Sequence, residues 1–282
     1  MGQALEWARR ELRSREAGGL EAQVLLSRLL DQPRAWVLAH PEAALTCAQA
    51  DTYGHQVQSC AAGMPLAYLT GIQEFFGLEF EVNPTVFIPR PETELLVERA
   101  LSWIRGGEGK PQARPIPAHV VEVGTGSGCL AISLAVESKG LKIVAGDLSR
   151  EALEVARRNV RHHGVADRVA LVQMDLLGSL KGPLDLILAN LPYMAWGQPG
   201  VPASSRFEPR LARDGGEDGL RIIARLLEQA VARLPPGSLA LLEIEASQGA
   251  AVLRLARSRF PRASIQIVPD LAGLDRLLEI RA

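Results

Sequence analysis

From residue 119 to the C-terminus, short runs of Val, Ile and Leu alternate with longer stretches whose apolar residues recur every three or four positions, and this alternation constrains the fold most. The apolar runs predict strands at 119–123, 142–145, 169–174, 184–189, 239–244, 265–268 and 277–280. Helical spacing predicts helices between them at 128–137, 150–162, 220–234 and 248–259. Repetition of this kind builds a mostly parallel sheet with helices on both faces, so the fold class is α/β. In such sheets a ligand sits beyond the carboxyl ends of the strands, where the strand order switches.

The N-terminal part reads as helices. Leu5, Ala8 and Leu12 make one stripe, and Val24, Leu25, Leu29 and Leu30 make a second. A third segment, with Thr46 as its N-cap, places Ala50, Tyr53, Val57 and Ala61 on one side. Pro33 and Pro41 punctuate this region, and no catalytic constellation falls in it. Next, Phe76, Leu78, Phe80 and Val82 alternate with Gly77, Glu79 and Glu81, bracketed by Gly71 and Asn83-Pro84, which predicts a hairpin joining two domains. Pro91 starts a helix carrying Leu96, Ala100, Leu101 and Ile104, with Glu92 and Glu94 in its first turn. The Gly-, Pro- and charge-rich stretch 105–117 reads as an exposed, mobile loop. The organisation expected is a helical domain over 1–70, a hairpin linker over 71–90 and an α/β domain over 91–282.

Bulk properties narrow the class. The 282 residues are 47% hydrophobic and carry a formal net charge of −1, so the chain can bury a sizeable core and has no global basic field for nucleic acid or membrane. Cys47, Cys60 and Cys129 are odd in number and form no C-x-x-C, which indicates neither a disulfide framework nor a zinc site. The N-terminus has no signal-peptide pattern, and no apolar run approaches the ~20 residues that span a bilayer. A soluble, cytoplasmic protein without a metal is expected.

Four consecutive strand ends offer ligand-type residues. Glu122-Val-Gly124-Thr125-Gly126-Ser127-Gly128 ends the first strand of the α/β region and opens a helix, so the backbone can approach a ligand that the helix N-terminus faces. A dinucleotide fingerprint needs glycine or alanine at position 129, which is Cys129; the spacing instead suits the methionine tail of S-adenosylmethionine. Asp147 ends the second strand, where a carboxylate can accept hydrogen bonds from both ribose hydroxyls. Alternatively it caps the following helix, a role Ser149 can also fill. Asp175 and Leu176 end the third strand, placed to meet an adenine edge and face. Asn190-Leu191-Pro192-Tyr193 closes the fourth. An Asn-X-Pro turn at a strand end is often only a turn. At this place, however, it offers two carbonyl acceptors beside a flat apolar wall, which suits a planar NH2 group.

With these residues in place, the chain resembles the HemK/PrmC family over nearly its whole length. The similarity includes Pro65-Leu-Ala-Tyr-Leu-Thr-Gly71, Phe75-Phe-Gly-Leu-Glu-Phe80, Val86-Phe-Ile-Pro-Arg-Pro-Glu-Thr-Glu94, the glycine turn, Asn190-Leu-Pro-Tyr193, Glu208-Pro-Arg-Leu-Ala212 with Gly215-Gly-Glu-Asp-Gly219, and Asp270-Leu-Ala-Gly273. That family methylates the side-chain amide nitrogen of the glutamine in the Gly-Gly-Gln loop of peptide chain release factors. The resemblance implies a class I, Rossmann-like S-adenosylmethionine-dependent methyltransferase sheet with a small N-terminal helical domain. It further implies that Gly124, Thr125, Gly126, Ser127, Gly128, Asp147, Leu176 and Asn190 bind the cofactor. Asn190, Leu191, Pro192 and Tyr193 would hold the glutamine, and the N-terminal helices would contact the release factor. Neither nucleic acid nor membrane is an expected partner.

The amide nitrogen is a poor nucleophile because its lone pair is delocalised. The Asn190 side-chain oxygen and the Leu191 carbonyl can take its two hydrogens and direct the lone pair at the methyl group. None of His40, His55, His119, His162 and His163 is assigned a role as base. Three positions depart from the family pattern: Leu191 stands for proline, Glu245 for glycine, and Arg213 for an apolar residue. Other readings are a methyltransferase for a ribosomal-protein glutamine, a DNA adenine amino-methyltransferase that flips its base, and a cofactor-binding scaffold without catalysis.

Overall fold

A computed structural model describes residues 1–106, 119–195 and 203–282; of the loop expected at 105–117, all beyond residue 106 lies outside them. The chain divides into two compact units, the first comprising Met1–Ile72 and the helical turn Ala203–Phe207. Its helices are α1 (Gly2–Glu11), α2 (Gly18–Leu30), α3 (Arg34–Ala39), α4 (Cys47–Ala61) and α5 (Leu66–Thr70). Thr46 caps α4 in a reciprocal box with Gln49, satisfying the first-turn amides as the sequence predicted. The α4 stripe is displaced by one residue at its end. Tyr53, Val57 and Cys60 are buried, whereas Ala50 and Ala61 are exposed, because spacings of four and three keep Cys60 on the face that Tyr53 starts. In α2 the inward residues are Ala22, Leu25 and Leu26, with Val24 only half-buried. The Tyr53 hydroxyl is satisfied inside this core by donating to the Ala22 carbonyl at 2.9 Å.

The second unit begins at Gln73, one residue into the hairpin of β1 (Ile72–Phe75) and β2 (Leu78–Glu81). Phe76 is not in a strand. Phe76 and Gly77 have φ of 52° and 73° and form the two-residue turn, so Phe75, not Phe76, joins Phe80 inside. A short 3-10 turn at Pro91–Thr93 leads into α6 (Glu94–Ile104).

The elements expected in the α/β region are present, with small shifts at their ends. They are β3 (Val120–Val123), α7 (Cys129–Glu137), β4 (Ile143–Asp147), α8 (Arg150–His162), β5 (Val169–Gln173), β6 (Leu186–Ala189), α9 (Arg221–Ala230), β9 (Leu239–Glu243), α10 (Gly249–Arg259), β10 (Ser264–Pro269) and β11 (Asp275–Arg281). A small parallel pair, β7 (Met194–Ala195) and β8 (Asp214–Gly216), was not anticipated. Strand order in the main sheet is β10-β11-β9-β6-β3-β4-β5, with β11 antiparallel to both its neighbours and every other pair parallel.

Successive strand residues enter opposite cores. Val120, Leu186, Leu188, Leu239 and Leu241 pack with α6 and α7 on one face. Val121, Ile187, Ala189, Ala240 and Leu242 pack with α9 and α10 on the other. Two apolar faces explain why these strands read as unbroken apolar runs. Leaving β3, the chain goes to β4 on one side and later returns to β6 on the other, which puts the switch point at β3. Among the described residues no helix is long and apolar enough to cross a membrane.

Candidate active site

The parallel register aligns Val123 with Gly146 on one side and with Ala189 on the other. The residues that follow these partners, Gly124, Asp147 and Asn190, therefore meet at one edge of the sheet. A cavity of about 280 Å³ opens there, and every candidate site residue proposed from the sequence except Gly128 lines it. Gly128 is the N-cap of α7, at the end of the turn.

The glycine turn is built by its backbone. The Gly124 and Thr125 amides donate to the Gly146 carbonyl at 2.8 and 2.9 Å, pinning the turn to β4. Gly124 (φ +76°) lies against Leu191, and a Cβ on Gly128 (φ +85°) would sit 2.9 Å from Ile132, so side chains are excluded by conformation and by space. Asn159, buried on α8, secures the turn from below: its amide donates to the Ser127 carbonyl at 2.8 Å and to the Glu81 carbonyl at 3.0 Å.

Asp147 accepts from the Gly126 amide at 2.8 Å through Oδ2 and from the Ser149 amide at 2.9 Å through Oδ1. Ser149, not Asp147, caps α8, its hydroxyl accepting from the Ala152 amide at 3.1 Å. That leaves the remaining lone pairs of Asp147 for a ligand. Burial raises its carboxyl above the ordinary range, against those amides. Asp175 is ion-paired with Arg225 at 2.7 Å on the cavity wall. Leu176 has φ +52°, a left-handed conformation that a leucine adopts at a cost of about 1 kcal/mol or more, and its side chain is buried in the wall.

The Asn190 amide donates to the Thr93 hydroxyl at 3.1 Å. Thr93 in turn donates to Glu243 Oε2 at 2.6 Å, and the Tyr193 hydroxyl donates to Glu243 Oε1 at 3.3 Å. Gln248 donates to the Tyr193 carbonyl at 3.0 Å. Among the described residues nothing donates to the Leu191 carbonyl or to Asn190 Oδ1. Leu191 itself is buried. Burial pushes the Glu243 carboxyl up to about 7 and raises the Tyr193 hydroxyl. None of the five histidines lines the cavity.

Comparison with known proteins agrees with this geometry. The PrmC N-terminal domain matches residues 3–71, and the methyltransferase small domain matches 112–207. A release factor glutamine methyltransferase of Moorella thermoacetica is 44% identical over 91% of this chain and 89% of its own. One of Nitratidesulfovibrio vulgaris is 38% identical over 98% of this chain and 93% of its own. The chain belongs to the release factor glutamine methyltransferase family. The resemblance read from the sequence motifs is borne out. A crystal structure of a methyltransferase from Pyrococcus furiosus, 20% identical, covers 73% of this chain and 89% of that one with a TM-score of 0.52, a likeness of fold.

Of the segments that marked the family resemblance, those at 86–94, the glycine turn, 190–193 and 208–212 contribute residues to the cavity wall. Arg90, stacked on Phe87 at 4.7 Å, pairs with the buried Glu208, and Thr93 of the same segment reaches Asn190. One of the departures acquires a local explanation. Glu245 caps a 3-10 turn at Ala246–Gln248, accepting from the Ser247 amide at 3.0 Å, a role that glycine cannot fill. Arg213 lines the cavity with a buried Nε that has no partner among the described residues. For S-adenosylmethionine the residues fit: space is open above Gly126, the Ser127 hydroxyl is buried in the cavity wall without a partner among the described residues, and Asp147 has acceptor capacity to spare.

Glu122, at the start of the glycine motif, is fully enclosed and lines the cavity floor. Burial pushes its carboxyl from the ordinary 4.5 up to about 8, although the Thr125 hydroxyl at 2.7 Å and the Ala131 amide at 3.1 Å favour the ionised form. The folded state thus holds a proton that the unfolded chain has lost. This contribution to stability is complete below pH 4.5 and is lost as pH rises to about 8, at up to ~1.4 kcal/mol per pH unit. Glu122→Gln is expected to flatten that part of the melting-temperature profile, measured by thermal denaturation between pH 5 and 8.5.

Proposed function

We propose that the chain transfers the methyl group of S-adenosylmethionine to the side-chain amide nitrogen of the glutamine in the Gly-Gly-Gln motif of peptide chain release factors, aiding translation termination. The observation that carries this reading is the placement of Asn190, with its nitrogen committed to Thr93, beside a glycine turn and Asp147 at the switch point. When bound, the cofactor supplies a methyl group on a sulfonium sulfur. Gly124, Thr125, Gly126, Ser127 and Gly128 would hold its methionine part, Asp147 would accept from the ribose, and Asp175 and Leu176 would meet the adenine. Asn190 Oδ1 and the Leu191 carbonyl accept the two hydrogens of the substrate amide, while Pro192 and Tyr193 wall its plane. The nitrogen lone pair is then aimed at the methyl, and the developing positive charge meets two acceptors. Once the new bond has formed the nitrogen's surplus proton passes to solvent water, so no base need act first.

The helical segment 1–70 recognises the release factor, and the reaction takes place in the cytoplasm without direct contact to nucleic acid. The test is incubation with methyl-labelled S-adenosylmethionine and, separately, a release factor, its Gly-Gly-Ala variant, ribosomal proteins and DNA. Label on the release factor alone, lost in the variant, supports the reading; label on ribosomal protein or DNA instead replaces it.

By the resemblance read from its motifs, Leu191 stands where the family pattern has proline. Its side chain packs over Gly124, and its amide donates to no acceptor among the described residues. Proline there removes no hydrogen bond, and a residue preceding Pro192 is already biased to extended backbone. Leu191→Pro is expected to keep kcat within about threefold of the parent and to lower stability by ~1 kcal/mol through lost packing, read by steady-state kinetics and urea denaturation.

A further inference from the structure

We propose that Thr93 and Glu243 form a one-way hydrogen-bond relay that fixes which end of the Asn190 amide faces the cavity. This rests on Asn190 being the acceptor for the substrate amide, and it assigns two positioning residues that act through Asn190.

The argument is one of hydrogen count. Glu243 ends β9, Thr93 ends the turn before α6, and Asn190 follows β6, so three distant segments converge. Thr93 and Glu243 are 2% and 1% exposed, which leaves no room for water to exchange roles. Above about pH 7, where the Glu243 carboxyl is ionised, it has no hydrogen to give. Both neighbours must therefore donate to it: the Thr93 hydroxyl at 2.6 Å and the Tyr193 hydroxyl at 3.3 Å. A threonine hydroxyl has a single hydrogen. Having spent it on Glu243, Thr93 can only accept from its other neighbour, 3.1 Å away on Asn190. That neighbour must be the Nδ2 end, because Oδ1 offers no hydrogen. The two ends of an asparagine amide are nearly equal in size, and its last torsion is soft, so sterics alone would not choose between them. The relay chooses. Nδ2 is held back against the protein, and Oδ1 is presented to the cavity as an acceptor.

The same carboxylate holds Tyr193, so the two ends of the tetrapeptide are set by one group. A purely structural role would not require a buried carboxylate. Replacing such a group by a packed apolar residue is often neutral or stabilising.

Four variants are compared with the parent protein: Thr93→Val, which keeps the shape without the hydroxyl, Thr93→Ser, which restores it, Glu243→Gln, which brings a hydrogen of its own, and Thr93→Ala. Four quantities are read at about pH 8.5, where Glu243 is ionised: kcat and KM on a release factor, Kd for S-adenosylmethionine by calorimetry, and hydrogen exchange of the Asn190 side-chain NH2 by 15N NMR without cofactor. Expected are an about 100-fold fall in kcat for Thr93→Val and Glu243→Gln with Kd nearly unchanged, and recovery in Thr93→Ser to within about threefold. One protected Asn190 hydrogen is expected in the parent and Thr93→Ser, and none in Thr93→Val. Thr93→Ala and Glu243→Gln, altered at separate elements, keep the test open if Thr93→Val fails to fold. Parental kcat and protection in Thr93→Val would overturn the relay. A parent protein that does not label any release factor, yet shows the protected hydrogen and loses it in Thr93→Val, overturns the functional reading and leaves the relay standing.

Discussion

Asn190→Ala is expected to lower kcat for glutamine methylation by about 10²–10³-fold, the scale seen when one preorganised polar group is removed from a developing charge. The dissociation constant for S-adenosylmethionine should move by less than about fivefold, since the neighbours proposed to hold it are untouched. The separation follows from where the parts are anchored. Gly124 and Thr125 hang from the Gly146 carbonyl, and Gly126 from Asp147, all on β3 and β4. Asn190 hangs from Thr93, on the other side of β3. Losing its side chain leaves the Thr93 hydroxyl without its donor, at about 1 kcal/mol of stability, too little to unfold the domain. Single-turnover kinetics with labelled cofactor and calorimetric titration give the two numbers. Equal losses in both would show that Asn190 serves the cofactor and not the amide.

The split between these two sets of residues tracks what was legible in the sequence. Everything that depends on local periodicity was visible. Two-sided burial makes β3, β6 and β9 unbroken apolar runs, and the carboxyl ends of such strands are where ligands bind, so Gly124, Asp147, Leu176 and Asn190 could be named before their contacts were known. Failures occurred where a single residue changes the phase. Phe76 continues an alternating pattern on paper, but a two-residue turn takes it out of the strand. Cys60 outranks Ala61 because helical spacing, not hydrophobicity alone, decides which residue points inward. The support of the site was not legible at all. Thr93 meets Asn190 across 97 positions and Glu243 across 150. Asn159 reaches the hairpin across 78. No window of local sequence carries such pairings, and Thr93 entered the reading only as one letter of a family segment. Arg225, which holds Asp175, had no local signal either.

Asp147→Ala provides the opposite dissociation: Kd for S-adenosylmethionine should rise by about 100-fold, while kcat at saturating cofactor falls by less than about fivefold. Two effects combine. In the proposed binding mode the ribose hydroxyls lose a charged acceptor, and charge-assisted hydrogen bonds contribute about 1.5–3 kcal/mol each. The Gly126 and Ser149 amides also lose the oxygens that hold them at 2.8 and 2.9 Å, so the turn becomes less well preorganised for the methionine part. Asp147→Asn separates these effects. Its single oxygen can still take one amide, but its NH2 group faces the other amide donor to donor, so Asn should be no better than Ala despite its matching shape. If Asp147→Asn instead binds cofactor as the parent does, neither the charge nor the double brace of the loop sets the affinity. If kcat collapses along with affinity in either variant, the glycine turn and the Asn190 tetrapeptide are not independent. Leu191, which packs over Gly124, is then the contact through which a loosened turn would disturb the substrate amide.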